Sequence, residues 1–543
     1  MKGGGGDKPG GSGVSLLRLE SQGFRIRLLS VAAGFFLLLL VFLLSSRHDA
    51  IVLLDPLGAR ASLCAPAAKT LPPQQGGSQS HGLLQRSAEQ SNVDEAITGP
   101  FSSGVRDTVV GVDTNDVERE AEPEAPAAAT TIYDDRAAPG DTTTPSTRVD
   151  TVDQPRQPLC DFSDLRTDVC DLSGDIRMDA NASAFVVVVD PAGGADGPTY
   201  KVRPYPRKGD ATSMGRVTEI TVRTMAAAPR CTRTHAAAPA VVFSIGGYTG
   251  NLFHDFTDVI IPLYNTAQGY RGDVQLVMTD AAPRWLAKYG ALLRGLSRHA
   301  PLDLAEAAAA GEVHCFGHAE VGLRAHRGEL IIDRDRSLDG LGMPEFTRFL
   351  RRALSLPRDA PTRPGGYGKP RPRLLIICRR GTRLLLNTDA VARAAEEVGF
   401  EAVARELDAA ANDDVAETGR LINSFDAVVG VHGAGLTNMV FLPPGAAAVQ
   451  IVPWGGLRWI ARMDFGQPAE AMGLRYIQYE VTIDESTLKD KYPRDDEIFT
   501  NPTALHKRGF KFMRQTFLNG QNITVDIDRF KPVLLQAFNS LAL

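Results

Sequence analysis

Six cysteines among 543 residues are too few for a disulfide scaffold. Basic charge is also in short supply. Fifty-nine Lys and Arg against 64 Asp and Glu leave a net charge of −5, which argues against a nucleic-acid binder, because such proteins carry a basic excess or stripe. No HExxH, GxSxG, Walker A or paired CxxC pattern occurs. The signals of zinc-protease, lipase-type, P-loop and zinc-ribbon chemistry are therefore missing. What the chain has is apolar content, at 43%, enough for large cores in two to four domains.

One long apolar run stands out, LLSVAAGFFLLLLVFLL at residues 28–44, extended by Ser45 and Ser46. As a helix it spans about 26–28 Å, close to the ~30 Å hydrocarbon core of a bilayer. Arg18, Arg25 and Arg27 precede it, while Arg47 is followed by Asp49. The positive-inside bias keeps the N-terminus cytosolic and sends the rest to the lumen or outside. The run exceeds a signal-peptide h-region and no clean cleavage site follows, so an uncleaved signal-anchor is expected. The sequons at Asn181 and Asn522 agree with that topology, whereas Asn501 is blocked by Pro502. Residues 47–157 are rich in Pro, Gly, Ser, Thr, Ala and acidic residues. They bury too little apolar surface to offset ordering entropy and read as a disordered stem.

Order resumes near Cys160. Strands are expected at 184–189, 220–222, 240–245, 274–278 and 330–332, with helices at 251–264 and 283–292. The Pro/Gly-rich segment 361–373 divides the body. Beyond it come a strand at 374–378, helices at 388–398 and 415–423, and the unit FDAVVGVHGAGLTNMVFLPPGAAAVQIVPWG at 425–455. The expected organisation is a cytosolic tail at 1–27, an anchor at 28–46, a stem at 47–157, Rossmann-like domains at 158–362 and 374–487, and an extension at 488–543. Two alternating α/β halves joined by a linker suggest domains facing a cleft. Cys160, Cys170, Cys231 and Cys315 can pair in three ways. Cys378 ends an apolar strand and reads as a buried thiol; Cys64 falls in the stem.

The 425–455 unit reads as strand (427–431), glycine turn, short helix (436–442) and strand (447–452). Its turn, His432-Gly433-Ala434-Gly435, places a helix N-terminus at the carboxyl edge of a parallel sheet, where free N–H groups and the helix dipole stabilise a phosphate. His432 and Asn438 can direct polar atoms to the same spot. The plainer reading is a βαβ crossover whose glycines serve only the turn. Arg379, Arg380 and Arg383, followed by Asn387, lie after the 374–378 strand and suit a diphosphate. On the helix after Gly250, Asn251, His254 and Asp258 share one face. A His/carboxylate pair at a cleft is a general-base candidate, set against a helix cap with an interdomain hydrogen bond. Asp333 and Asp335 form a D-x-D that can hold a divalent metal; Asp526-Ile527-Asp528 shows how cheaply the pattern arises.

The blocks GGYTGNLFHDFTD, RRGTRLLLN and DAVVGVHGAGLTNMVFLPPGA, in that order, resemble glycosyltransferase family 61. That family includes Golgi xylan arabinosyl- and xylosyltransferases of plants and N-acetylglucosaminyltransferases of animals that act on proteins. The resemblance runs from about Asp161 to the C-terminus. It implies an α/β, GT-B-like architecture, an inverting mechanism and a UDP-sugar donor bound by the C-terminal half. On that analogy Arg379, Arg380, Arg383, Asn387, His432, Gly433, Ala434, Gly435 and Asn438 frame the donor. Asn251 lies on the acceptor side, His254 and Asp258 are catalytic, and no metal is needed. Cys378 stands where many members have Ser. The long stem and Trp454-Gly455 look closer to the plant branch, which implies pentose transfer to xylan in the Golgi lumen, with other Golgi enzymes as partners. Transfer of xylose or N-acetylglucosamine to a glycoprotein, and carbohydrate binding without turnover, are the alternatives.

Overall fold

The computed structural model describes residues 159–543, apart from 190–196, 327, 338–339, 366–367, 369 and 408–413. The expected anchor, the stem and Cys64 lie outside the described residues. Among those residues, no helix is long and apolar enough to cross a membrane.

The first half carries a ten-stranded sheet: β1 (Cys160–Asp161), β2 (Val169–Asp179), β3 (Ala184–Val188), β4 (Thr199–Val202), β5 (Ile220–Met225), β6 (Arg233–His235), β7 (Ala240–Ser244), β8 (Gln275–Thr279), β9 (Leu302–Asp303) and β10 (Val313–Val321). The order is β4-β5-β3-β2-β10-β7-β8-β9, with β1 on β2 and β6 on β10. β10-β7-β8-β9 forms a parallel run, and β3 with β5 and β6 with β10 are further parallel pairs. β2 is antiparallel to both β3 and β10, so the simple Rossmann-like expectation for this half is corrected to a mixed sheet. The reason is local. A four-residue turn separates β2 from β3, whereas a parallel pair needs a crossover of about a dozen residues. Residues 330–332, expected as a strand, belong to no strand. Leu330 takes a positive φ of 49°, which breaks the extended run.

The second half is a five-stranded, all-parallel sheet: β11 (Arg373–Cys378), β12 (Glu401–Glu406), β13 (Ala427–Val431), β14 (Ala447–Val452) and β15 (Arg475–Glu480). Its order is β12-β11-β13-β14-β15. β13 and β14 are buried along their whole length, as strands covered on both faces must be, which is why they read as apolar runs, broken only by the buried Gln450. Helix Thr388–Val398 links β11 to β12, and helix Val415–Asn423 links β12 to β13. The C-terminal helix Ile527–Ser540 returns to this sheet, with Phe538 edge-on to Phe400 at 5.2 Å.

The halves do not merely face each other. One apolar core runs through both, where Phe256 meets Phe441 at 5.7 Å and Phe253 meets Phe465 at 5.6 Å. The described part of the Pro/Gly segment is pinned rather than loose. Asp426, fully buried, accepts hydrogen bonds from the amides of Thr362 (2.6 Å) and Arg373 (2.7 Å) and pairs with Arg358.

Disulfides join Cys160 to Cys170 and Cys231 to Cys315, selecting one of the three connectivities. Cys378 is disulfide-bonded, not the buried thiol expected from its strand. It is buried at the end of β11, at the edge that opens on a cavity.

Candidate active site

The strand order of the second sheet reverses between β11 and β13. Ligands of open parallel sheets bind at such switch points, outside the carboxyl ends of the strands. A cavity of about 290 Å³ lies there. Arg379 and Arg380 line it from the turn after β11; Ala434, Gly435 and Asn438 line it from the turn after β13; Gly250, Asn251 and Lys288 close it from the first half. Residues 434–441, expected as a helix from 436, form a 3₁₀ run. The tighter turn keeps unsatisfied amides at its start, while Asn438 Nδ2 donates to the Gly435 carbonyl at 2.9 Å. Asn438 Oδ1 is buried and has no partner among the described residues.

Other residues expected to frame the donor stand behind this wall. His432 is fully buried and does not line the cavity. Its Nδ1 accepts from Gln450 Nε2 at 2.8 Å, and burial, reinforced by Arg383 and Arg379, holds its pKa well below the ordinary value. Arg383 is buried too, and its Nη1 donates to the His432 carbonyl at 3.3 Å. Gly433 has φ 142°, and a Cβ there would run into the Arg379 guanidinium. Asn387 clamps the C-terminal segment, donating to the Val525 carbonyl (2.8 Å) and accepting its amide (3.1 Å). Arg383, Asn387, His432 and Gly433 thus shape the turns, while Arg379, Arg380, Ala434, Gly435 and Asn438 reach the cavity.

In the first half, Asn251 caps helix Leu252–His254 by accepting from the Phe253 amide at 3.0 Å, and it also lines the cavity. The chain then enters a π-helical segment, Asp255–Ile260. Asp255 turns back to accept from the Gly250 amide, Trp285 and Tyr289, fixing the glycine turn. Asp258 faces the other way. Its carboxylate accepts from Tyr205 (2.7 Å) and Arg207 Nε (2.9 Å) and lies 2.9 Å from His254 Nδ1. Arg207 also reaches Glu329 at 3.0 Å, and Arg166 reaches Glu329 at 3.1 Å. Two guanidinium groups thus offset two carboxylates in a buried cluster. Burial alone would raise the Asp258 pKa, but Arg207 and His254 outweigh it and hold the carboxyl well below its usual range. The carboxylate accepts a hydrogen bond from Nδ1–H, which leaves the lone pair of His254 on Nε2; Arg207 Nη2 lies 3.3 Å from the same Nδ1 but closer to Asp258 and Glu329, at 2.9 and 3.0 Å. His254 is itself only 1% exposed and does not line the cavity.

The sequence pattern of the family Glycosyltransferase 61 matches residues 251–449, from the helix cap into β14. An alpha-1,3-arabinosyltransferase of Oryza sativa subsp. japonica is 50% identical over 390 residues, covering 72% of this chain and 66% of its own. A second alpha-1,3-arabinosyltransferase of that organism is 49% identical over 402 residues, covering 74% and 67%. A beta-1,2-xylosyltransferase, also from rice, is 40% identical over 399 residues, covering 70% and 84%. This chain belongs to glycosyltransferase family 61. It spans about two thirds of the length of the two arabinosyltransferases.

Within this family 61 glycosyltransferase, several cavity and cluster residues carried no local sequence signal. Lys288 and Glu406 line the cavity, and Arg166, Arg207 and Glu329 build the cluster. Asp333 and Asp335 do not line the cavity; Asp333 accepts the Asp335 amide at 3.1 Å in a local turn. Of the sequon asparagines, Asn181 is exposed in the turn after β2. Asn522 is half-buried, and its Oδ1 accepts the Leu384 amide at 3.0 Å.

Proposed function

We propose that this chain is an inverting pentosyltransferase that moves arabinofuranose or xylose from a UDP-sugar onto xylan in cell-wall polysaccharide synthesis. The carrying observation is the switch-point cavity, with Arg379, Arg380 and the 434–438 turn on one wall and Asn251 on the other. Paired guanidinium groups and 3₁₀ amides are what a diphosphate needs. The names of the rice relatives support a pentose donor and favour arabinose, since the two arabinosyltransferases are the more similar at 49–50% identity. The proposal includes a GT-B arrangement, with an acceptor-side half at 158–362, a donor-side half at 374–487 and an extension at 488–543. It also includes a type II anchor at 28–46 in the Golgi membrane, which the apolar run and its preceding arginines support.

In the proposed reaction the acceptor hydroxyl oxygen bonds to the anomeric carbon while the bond to the UDP oxygen breaks on the opposite face. The hydroxyl proton passes to His254 Nε2, and UDP leaves against Arg379 and Arg380. That charge comes from the protein, so a divalent ion is not required. The test is a screen of nucleotide sugars with xylo-oligosaccharide acceptors, using the purified chain. UDP-arabinofuranose or UDP-xylose should give a pentosylated product, with turnover retained in EDTA. Transfer only to glycoprotein acceptors would redirect the acceptor assignment. Loss of turnover in EDTA, restored by manganese, would point to the D-x-D instead.

A further inference from the structure

The cavity contains a group that a diphosphate site does not explain. Among its described lining residues Glu406 is the one carboxylate, and a negative charge beside two phosphates is unfavourable unless it serves another part of the ligand. Its position suggests which part. Glu406 is the last residue of β12, the strand next to β11 on the side away from β13. In doubly wound parallel sheets the first βα turn holds the phosphates, and an acid at the end of the neighbouring strand hydrogen-bonds the ribose diol. Here the turn after β11 carries Arg379 and Arg380, and Glu406 follows at the end of the next strand in sequence. Beyond it Leu407, Val415 and Thr418 continue the cavity wall, a largely apolar surface of the kind a nucleobase covers. The glutamate side chain is 29% exposed and pairs with Arg380, whose own side chain is 74% exposed. It is therefore not sealed in the core, and the guanidinium it pairs with is largely exposed.

We propose that Glu406 is the ribose-binding residue of the donor site, its carboxylate accepting hydrogen bonds from the 2′- and 3′-hydroxyls of the nucleotide. This rests on the donor-site reading above. It also makes the Glu406–Arg380 pair a bridge between ribose and diphosphate recognition. The competing role, neutralising Arg380, has the opposite consequence. Removing a carboxylate that only neutralises Arg380 frees the guanidinium and leaves UDP bound as well as before, or more tightly.

The experiment is calorimetric titration of the full chain with UDP, 2′-deoxy-UDP and 3′-deoxy-UDP, for the wild type, Glu406→Ala and Glu406→Gln. Hydrogen bonds to a charged group are worth about 10–100-fold in affinity. The wild type should bind the weaker of the two deoxy ligands about 10–100-fold less tightly than UDP. Glu406→Ala should lose a similar factor for UDP and no longer distinguish the three ligands. The wild-type comparison needs no variant and survives any misfolding of the alanine chain; equal affinity for UDP and both deoxy forms overturns the proposal. So does an alanine or glutamine variant that binds UDP with undiminished affinity and still discriminates. If the wild type fails to bind UDP at all, the donor-site reading itself falls, an outcome separate from these.

Discussion

His432 Nε2 and Asp464 Oδ2 face each other at 3.8 Å, each side chain fully buried, and neither atom has a hydrogen-bond partner among the described residues. The distance is too long for a hydrogen bond. Gln450 donates to Nδ1, which puts the imidazole proton on Nε2, aimed at the acid. Burial, aided by Glu329 and opposed by Arg207, pushes the Asp464 carboxyl well above its ordinary range. Both groups are thus neutral where the root of the HGAG turn meets the charge cluster of the first half. Asp464 sits in the π-helical segment Arg462–Gly466, as Asp258 sits in Asp255–Ile260. The halves meet beside these segments, Phe253 against Phe465 and Phe256 against Phe441, and one π segment carries a neutral acid while the other carries an ionised one.

Asp464→Asn tests the neutral assignment. An acid whose folded pKa is raised contributes fully below its unfolded value, about 3.9, and that contribution is lost as pH rises towards the folded value. An asparagine cannot ionise, so it carries no such loss. Thermal melts from pH 4 to 8 should show the variant gaining on the wild type as pH rises. A difference constant across that range would mean that Asp464 is ionised or does not titrate.

Arg207→Met probes the opposite case. Asp258 and Glu329 have depressed pKa values despite their burial, so their contribution is present above about pH 4 and lost as pH falls through the folded values. Removing Arg207 strands buried carboxylates, a change that costs about 3–5 kcal/mol when one partner of a buried pair is lost. The variant should melt well below the wild type at pH 7, with the gap narrowing towards pH 3. A melting temperature unchanged at pH 7 would show that Arg166 suffices.

Much of this organisation could be read from the chain because burial on both faces writes itself into local sequence. β13 and β14 are apolar apart from Gln450, and both span the residues their sequence predicts. β2 buries Cys170, Leu172, Ile176 and Met178 between polar neighbours, an alternation interrupted at Gly174, where φ is 116°. Edge strand β12, EAVARE, is half-exposed and has little apolar contrast. Between 457 and 518 the chain is built mostly of three- to five-residue helical turns and one strand, too short for a helical period to accumulate. The site divides in the same way. Turn residues such as Gly435 and Asn438 announce themselves by type and spacing. Arg207 and Glu329 gain their role only by meeting Asp258 or each other across 51 and 122 residues of sequence, and no local pattern carries that.

Gly433→Ala should act through Arg379. At φ 142° an alanine is strained, and its methyl group would collide with the guanidinium that lines the cavity. UDP affinity should fall about tenfold or more, with a destabilisation of about 1–3 kcal/mol from the backbone. An alanine variant with wild-type UDP affinity would show that Arg379 does not hold the donor.

The final prediction separates chemistry from architecture at His254. Because Asp258 holds Nδ1, the imidazole is fixed with Nε2 as its basic nitrogen, which suits a general base. The same ring is buried against Tyr248, at 5.0 Å between centroids, and meets Phe253 edge-on at 5.5 Å, which suits a brace. Alanine removes both functions and cannot decide between them. Glutamine can donate its amide to Asp258 and fill most of the same space, but it has no basic nitrogen at neutral pH. If His254 takes the acceptor proton, His254→Gln should melt near the wild type and bind UDP normally, while kcat falls about 10²–10⁴-fold. A glutamine variant that keeps kcat within a few-fold would make His254 a positioning residue for Asn251 and the glycine turn, and the base would have to come from elsewhere on the acceptor side.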